Sequence, residues 1–156
     1  MRPAVRLSRR TGGGFQVEGV SATPIEGVPD GAGFVLTGGA PWRLTWSATE
    51  RGWLLSTLTG GPDDELGRTT ATGVEPVLAP SSVLLADGRL FRLAVIGASD
   101  LRVELGRWDV PGAYAVGRPA EGSWEWERTA AGAALEAPAE LWILACVELG
   151  RLDGWY

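Results

Sequence analysis

The chain contains no histidine and no lysine. Without histidine it has neither the commonest general base nor the commonest metal ligand. All 14 basic residues are arginine, which reads as a genomic bias towards GC-rich codons. The one cysteine, Cys146, rules out an intramolecular disulfide and with it a disulfide-stapled secreted domain. The apolar run Leu141 to Val147 falls far short of the ~20 residues that a membrane-spanning helix needs. Basic residues are outnumbered by 19 acidic ones, and the net charge of −5 argues against a protein that grips duplex nucleic acid by its phosphates. A Gly-rich phosphate loop, a serine nucleophile elbow and a Cys/His metal set are all missing. No cofactor, no metal and no catalytic activity are therefore expected.

What the chain does have is turn punctuation. Its 23 glycines and 10 prolines fall between short apolar runs, as turn residues do. With 156 residues, 45% of them apolar, it is long enough for a proper core and reads as one domain over 1–156. Ala4 to Arg9 and Phe15 to Glu18 alternate apolar and polar. Trp42-Arg43-Leu44-Thr45-Trp46 places Trp42, Leu44 and Trp46 on one strand face, with Arg43 and Thr45 on the other. Trp53 to Leu58, Arg68 to Thr72, Phe91 to Val95 and Leu101 to Leu105 continue the series, and Asp87-Gly88 marks a hairpin. Pro24 suits an edge strand, and Pro29-Asp30-Gly31 reads as a turn. Val77 to Leu85 contains Pro80, so it reads as two short pieces or an edge strand. Trp124-Glu125-Trp126-Glu127 alternates with both indoles on one face. This many short strands predict a sandwich or a barrel.

The C-terminal stretch is different. Pro138 suits the start of a helix, because its missing N–H is one that a first turn leaves unpaired. Glu140 lies where the positive end of the helix dipole favours it. Every residue from Leu141 to Val147 is apolar. A helix apolar all round has no solvent face and must be surrounded by protein. Gly150 offers a stop, with Arg151 near the negative end of the dipole. Cys146, inside this helix, reads as a buried structural thiol. The expected fold is all-β, a closed or nearly closed barrel of about twelve short strands around a buried helix at about 138–150.

Three stretches carry a resemblance to a known family. They are Gly52-Trp53-Leu54-Leu55, then Gly112-Ala113-Tyr114-Ala115-Val116 followed by Trp124-Glu125-Trp126, and finally Leu141 to Asp153. In its order of elements the chain resembles the tubby C-terminal-like superfamily, which includes the phospholipid scramblases and the LURP-one-related proteins. The resemblance implies a closed barrel with the C-terminal helix through its middle, and a lipid-linked or scaffold role. The tubby branch binds phosphoinositide head groups through basic residues. The scramblases append a calcium-binding segment and a membrane-inserting helix. No functional residue of the family is carried over to a position in this chain.

Several residue groups invite a functional reading. Arg6, Arg9 and Arg10, with Arg2, form the one basic cluster. It is a candidate for an anionic lipid surface or a phosphate-bearing ligand, set against a solvated strand face paired with acids. Asp63-Asp64-Glu65 is a candidate cation loop, set against a solvated loop tip. Glu125 and Glu127 share a strand face at a spacing used by paired glycosidase carboxylates, set against an ordinary solvent face. Trp42-Arg43 and Arg107-Trp108 are pairs of the kind that stack bases. The core reading of Trp42, Trp46, Trp124 and Trp126 is that they fill the space between barrel wall and helix. Trp155 and Tyr156 are expected to close one mouth of the barrel.

The leading expectation is a non-catalytic intracellular module that engages an anionic lipid head group or a protein partner. One alternative is a lipocalin-like carrier with a hollow barrel and the helix outside. A second is a hydrolase working through Asp and Glu. Met1 to Arg10 has arginines but no apolar core behind them, so no signal peptide is expected and the location is cytoplasmic. The chain is not expected to span a membrane.

Overall fold

The structure is a computed structural model and describes residues 5–39, 41–58, 64–71, 81–96, 102–108, 112–130 and 137–156. The strands are β1 (Val5–Arg9), β2 (Phe15–Glu18), β3 (Ile25–Asp30), β4 (Gly33–Thr37), β5 (Trp42–Ser47) and β6 (Gly52–Thr57). They continue as β7 (Glu65–Ala71), β8 (Ser81–Leu85), β9 (Leu90–Ile96), β10 (Arg102–Arg107), β11 (Ala115–Ala120) and β12 (Ser123–Arg128). The C-terminal helix α1 (Ala139–Leu152) follows. Each strand pairs antiparallel with the next, and β1 pairs with β12 to close the barrel. Closure leaves no strand of the wall at an edge.

Alternation sets the two faces of the wall. Leu7 on β1 stands opposite Trp124 of β12 on one side and Val17 of β2 on the other, and all three are buried. Between them Arg6 and Glu18 point outward and are exposed. A wall of ~8 strands is filled by its own side chains. Twelve strands enclose a wider lumen, and a helix ~10–12 Å across is what occupies it. Every residue from Leu141 to Gly150 is buried. A helix laid on the outside of a barrel would keep one face in water, and this stretch has none. The interior is therefore filled, unlike the hollow barrel of the carrier alternative.

The wall is shaped to admit the helix. α1 lies closest to β6, β7 and β8. On β7 the inward position opposite Leu144 is Gly67, where an added Cβ would stand 2.8 Å from Leu144 Cδ1. A larger residue there would force the Leu144 side chain to shift and would crowd the Leu84 carbonyl at 3.0 Å. Each buried leucine of this helix contributes roughly 1.5–3 kcal/mol by leaving water.

Four details depart from the expectations. The helix does not stop at Gly150 but continues to Leu152. Gly150 is glycine for a packing reason, since its missing side chain makes room for Tyr156. Pro29 and Asp30 belong to β3, which pairs Pro29 with Phe34, and the turn lies beyond them. Pro24 precedes β3 and marks no edge, because the barrel has none. β11 runs from Ala115 to Ala120, through Pro119, and so takes in only the last two residues of the Gly112 to Val116 stretch. Thr72 and Val77 to Pro80 lie outside the described residues. No helix among the described residues is long and apolar enough to cross a membrane.

Candidate functional site

The barrel has two ends of different chemistry. At the end where α1 exits, the strand tips supply Phe15, Phe34 and Trp53, and Tyr156 folds back among them. Its ring centroid lies 4.9 Å from that of Phe34 and 6.0 Å from that of Trp53. Asp153 Oδ2 fixes this turn by accepting the indole N–H of Trp124 at 3.0 Å and that of Trp155 at 2.8 Å. Burial pushes the Tyr156 hydroxyl well above the usual tyrosine range, with the charges of Cys146 and Glu148 adding and Arg9 opposing. Trp155 and Tyr156 thus sit at this mouth, as the sequence indicated.

Beneath them lies a carboxylate that sequence reasoning passed over. Glu148 is fully buried on α1. The Ser81 hydroxyl at the start of β8 donates to its Oε2 at 2.6 Å. Arg151, one turn on, donates from Nε to Oε1 at 2.6 Å and from Nη2 to Oε2 at 2.9 Å. The Arg151 guanidinium also lies over the Trp46 ring, 5.1 Å from its centroid. This fork-like pairing raises the Arg151 pKa, partly opposed by its burial. Three donors hold the Glu148 carboxylate and no water reaches it. Its chemical role is to anchor Arg151 and α1 at the mouth. The signal was present in the sequence as the one acid within the run Leu141 to Gly150, three residues before an arginine.

Cys146 is enclosed beside Trp126. Burial pushes its thiol up to about 12, and the neighbouring Trp126 lowers it slightly. The Trp126 indole N–H makes no hydrogen bond of regular geometry, so burial is the cause that decides.

The basic cluster does not converge on one point. Arg6 lies on the outer wall between Glu18 of β2 and Glu125 of β12, and Arg118 of β11 follows Glu125. These four make a row of alternating charge. Arg10 donates to Gln16 Oε1 at 2.9 Å and lies 3.4 Å from Glu26. Arg9 has the inward parity of Leu7 and reaches the exit mouth, where its charge acts on Tyr156.

The acidic candidates are also spread out. Asp63 lies outside the described residues, and Asp64 is exposed. Glu65 is held by Arg68, whose hydrogen bond keeps its carboxyl below the usual range. Arg68 also reaches Glu50 at 3.1 Å. Glu125 and Glu127 stand on the outer wall of β12, half-buried and exposed respectively. Among the described residues no group of three or more His, Cys, Asp or Glu is placed to hold a metal ion. Trp124 and Trp126 are core residues, whereas Trp42 and Trp46 pack against the core and stay half-buried.

At the opposite end, where α1 enters, a cleft of about 300 Å³ opens. Leu66, Leu85, Ala86 and Pro138 supply its apolar lining, and Asp87, Arg89 and Glu140 its charges. Next to it on the outer wall runs a row of apolar side chains. Leu84 stands opposite Leu90, and the Trp108 N–H donates to the Leu90 carbonyl at 3.1 Å, which sets Trp108 beside Leu90. Leu84 is 40% and Trp108 46% exposed.

No protein-family model, no curated protein and no solved structure matches this chain.

Proposed function

We propose that this chain is a non-catalytic intracellular binding module that engages a protein partner through the outside of a solid barrel. The observation that carries this reading is the filled lumen. α1 occupies the space in which a carrier would hold its ligand, so recognition falls to the wall and the rims. A protein partner is favoured over an anionic membrane by the basic residues themselves. Arg6 lies between two carboxylates and Arg10 beside a third, so the outer wall there is balanced in charge. An anionic lipid surface is drawn to uncompensated cations. A hydrolase is disfavoured because Glu65 and Glu148, the acids with the closest partners, are committed to Arg68 and Arg151. A kinship with the tubby-like barrels belongs to the same proposal, supported by the plan of a helix inside a closed barrel. A reducing compartment suits a lone thiol enclosed in the core.

Two measurements on the full chain test the reading. Peptide display against the immobilised protein should select a consensus. Flotation with phosphatidylglycerol vesicles should leave the protein unbound at physiological salt. Vesicle binding that salt reverses, and that Arg6→Ser, Arg9→Ser and Arg10→Ser together abolish, would replace it with the lipid reading.

A further inference from the structure

We infer that the outer wall of β2, β1, β12 and β11 is a self-association surface, on which a second copy of this chain pairs its charges with those of the first about a twofold axis. This rests on the protein-binding reading above and names the partner.

The register builds a charge row across four neighbouring strands. Glu18 of β2 stands opposite Arg6 of β1, Arg6 opposite Glu125 of β12, and Glu125 opposite Arg118 of β11. Glu18, Arg6 and Arg118 are exposed and Glu125 is half-buried. Neighbouring strands lie about 4.8 Å apart, so these side chains are long enough to pair along the row. Yet none of the four makes a hydrogen bond or an ion pair among the described residues. Other arginines are committed: Arg10 to Glu26, Arg68 to Glu65, Arg89 to Asp87 and Arg151 to Glu148. The row keeps two cations and two anions free side by side.

The order of these charges makes the row self-complementary. From β2 to β11 it runs acid, base, acid, base. A twofold axis between β1 and β12, parallel to the strands, turns a second copy face to face and reverses that order. Each acid then meets a base. Glu18 faces Arg118 of the second copy and Arg6 faces Glu125 of the second copy, each contact occurring twice. Such an interface is isologous, as in the common twofold dimers of soluble proteins. The flanking rows raise no conflict. Gln16, Ser8, Ser123 and Ala120, on the exit side, carry no charge. Glu127, on the other side, is set against β1, which has no acid. Strands of a closed barrel tilt by about 35–45°, so the row runs obliquely and is flatter than the circumference. The arginine and glutamate side chains span the remaining gap.

The row itself is neutral, whereas the whole chain has a net charge of −5. At physiological salt a Debye length of about 8 Å screens the distant charges of two copies and leaves contacting pairs largely intact. Isolated surface pairs add little, and a network of several is the case in which they count. The expected dimer is therefore weak, reversible and sensitive to salt.

Sedimentation velocity on the full chain, over rising protein concentration, tests the interface. Wild type should pass from monomer to dimer at physiological salt and return to monomer at ~1 M salt, where the Debye length is about 3 Å. Arg6→Glu and Glu125→Arg each set two like pairs face to face, so each alone should associate at least tenfold more weakly. Mixed together they restore every opposite pair, and a heterodimer of about wild-type affinity should form. One chain carrying both changes should dimerise as well, although it places like charges side by side within its own row. That result separates pairing between copies from pairing along the wall. Arg43→Glu, on β5, makes the same charge change as Arg6→Glu away from the row and should leave the dimer unchanged. A monomer at every concentration would overturn the interface. So would a dimer that Arg6→Glu leaves intact, or single variants that stay apart on mixing. A monomer that still selects a peptide consensus would leave the protein-binding reading standing without this interface, whereas salt-reversible vesicle binding would remove the reading itself.

Discussion

Gly150 gives the account its sharpest test, because the structure predicts a change of sign. A Cβ at this position would lie 2.3 Å from Tyr156 Oη and 2.8 Å from Cζ. Both are closer than side-chain atoms pack, so in Gly150→Ala the Tyr156 ring must move. Its contacts with Phe15, Phe34 and Trp53 are each worth ~0.5–1.5 kcal/mol beyond burial. Against that loss, alanine gains ~1 kcal/mol over glycine inside a helix. The net expectation is a destabilisation of ~1–3 kcal/mol, in the range of other overpacking substitutions. In a Tyr156→Ala background the obstacle is gone and only the helix term remains. There the same Gly150→Ala change should stabilise by ~0.5–1 kcal/mol. Urea unfolding of the four proteins, followed by tryptophan fluorescence, gives the cycle by linear extrapolation. Equal effects of Gly150→Ala in both backgrounds would refute the claim that Tyr156 determines this residue.

Other parts of the core make their own predictions. Burial pushes the Cys146 thiol up to about 12 from an ordinary 9.0, so the folded state is expected to bind more protons between these values. Stability should be fully present below about pH 9 and fall as pH rises towards 12, by up to ~1.4 kcal/mol per unit for this group. Chemical denaturation in Cys146→Ala should show a shallower alkaline decline by one proton, and an unchanged slope would contradict the enclosure of the thiol. Glu148→Ala leaves the Ser81 hydroxyl unpaired inside and Arg151 facing a gap. Because Arg151 is partly exposed and can rehydrate, the expected cost is ~1–3 kcal/mol, below the ~3–5 of a fully buried pair. Arg151 would also lose its place over Trp46, so the indole emission should shift to the red, and an unshifted spectrum would refute that stacking.

Alternation was the most legible part of the chain. β5 and β12 were readable from single runs, because one face of each meets the core and the other meets water. α1 was readable because seven successive apolar residues leave a helix no wet face. Degree of burial was less legible. Trp42 and Trp46 have the inward parity of Leu44 but lie near the strand ends, where the wall no longer encloses them. Parity along one strand gives a direction and says nothing of depth along the barrel axis. The same limit applies to Arg6, Arg9 and Arg10, which are adjacent in sequence and lie on different faces in space. Gly150 looked like a helix stop because its packing partner, Tyr156, lies beyond the helix, and no local pattern announces such a contact. The entry cleft was invisible for a similar reason. It joins the β8–β9 turn to the first turn of α1, which come together only when the barrel closes.

The central claim is that α1 is the filling of the barrel, and its removal is the most direct test. A chain ended at Ala137 would expose the inner faces of Leu7, Leu44, Leu55 and Trp126, all now fully or almost fully buried. A domain of this size has only ~5–15 kcal/mol of net stability, and an empty lumen forfeits more than that. Circular dichroism and gel filtration should find the shortened chain unfolded or aggregated, with no cooperative melt. A soluble monomer with a cooperative β-sheet transition would contradict the account, because it would show a barrel that is complete without its helix.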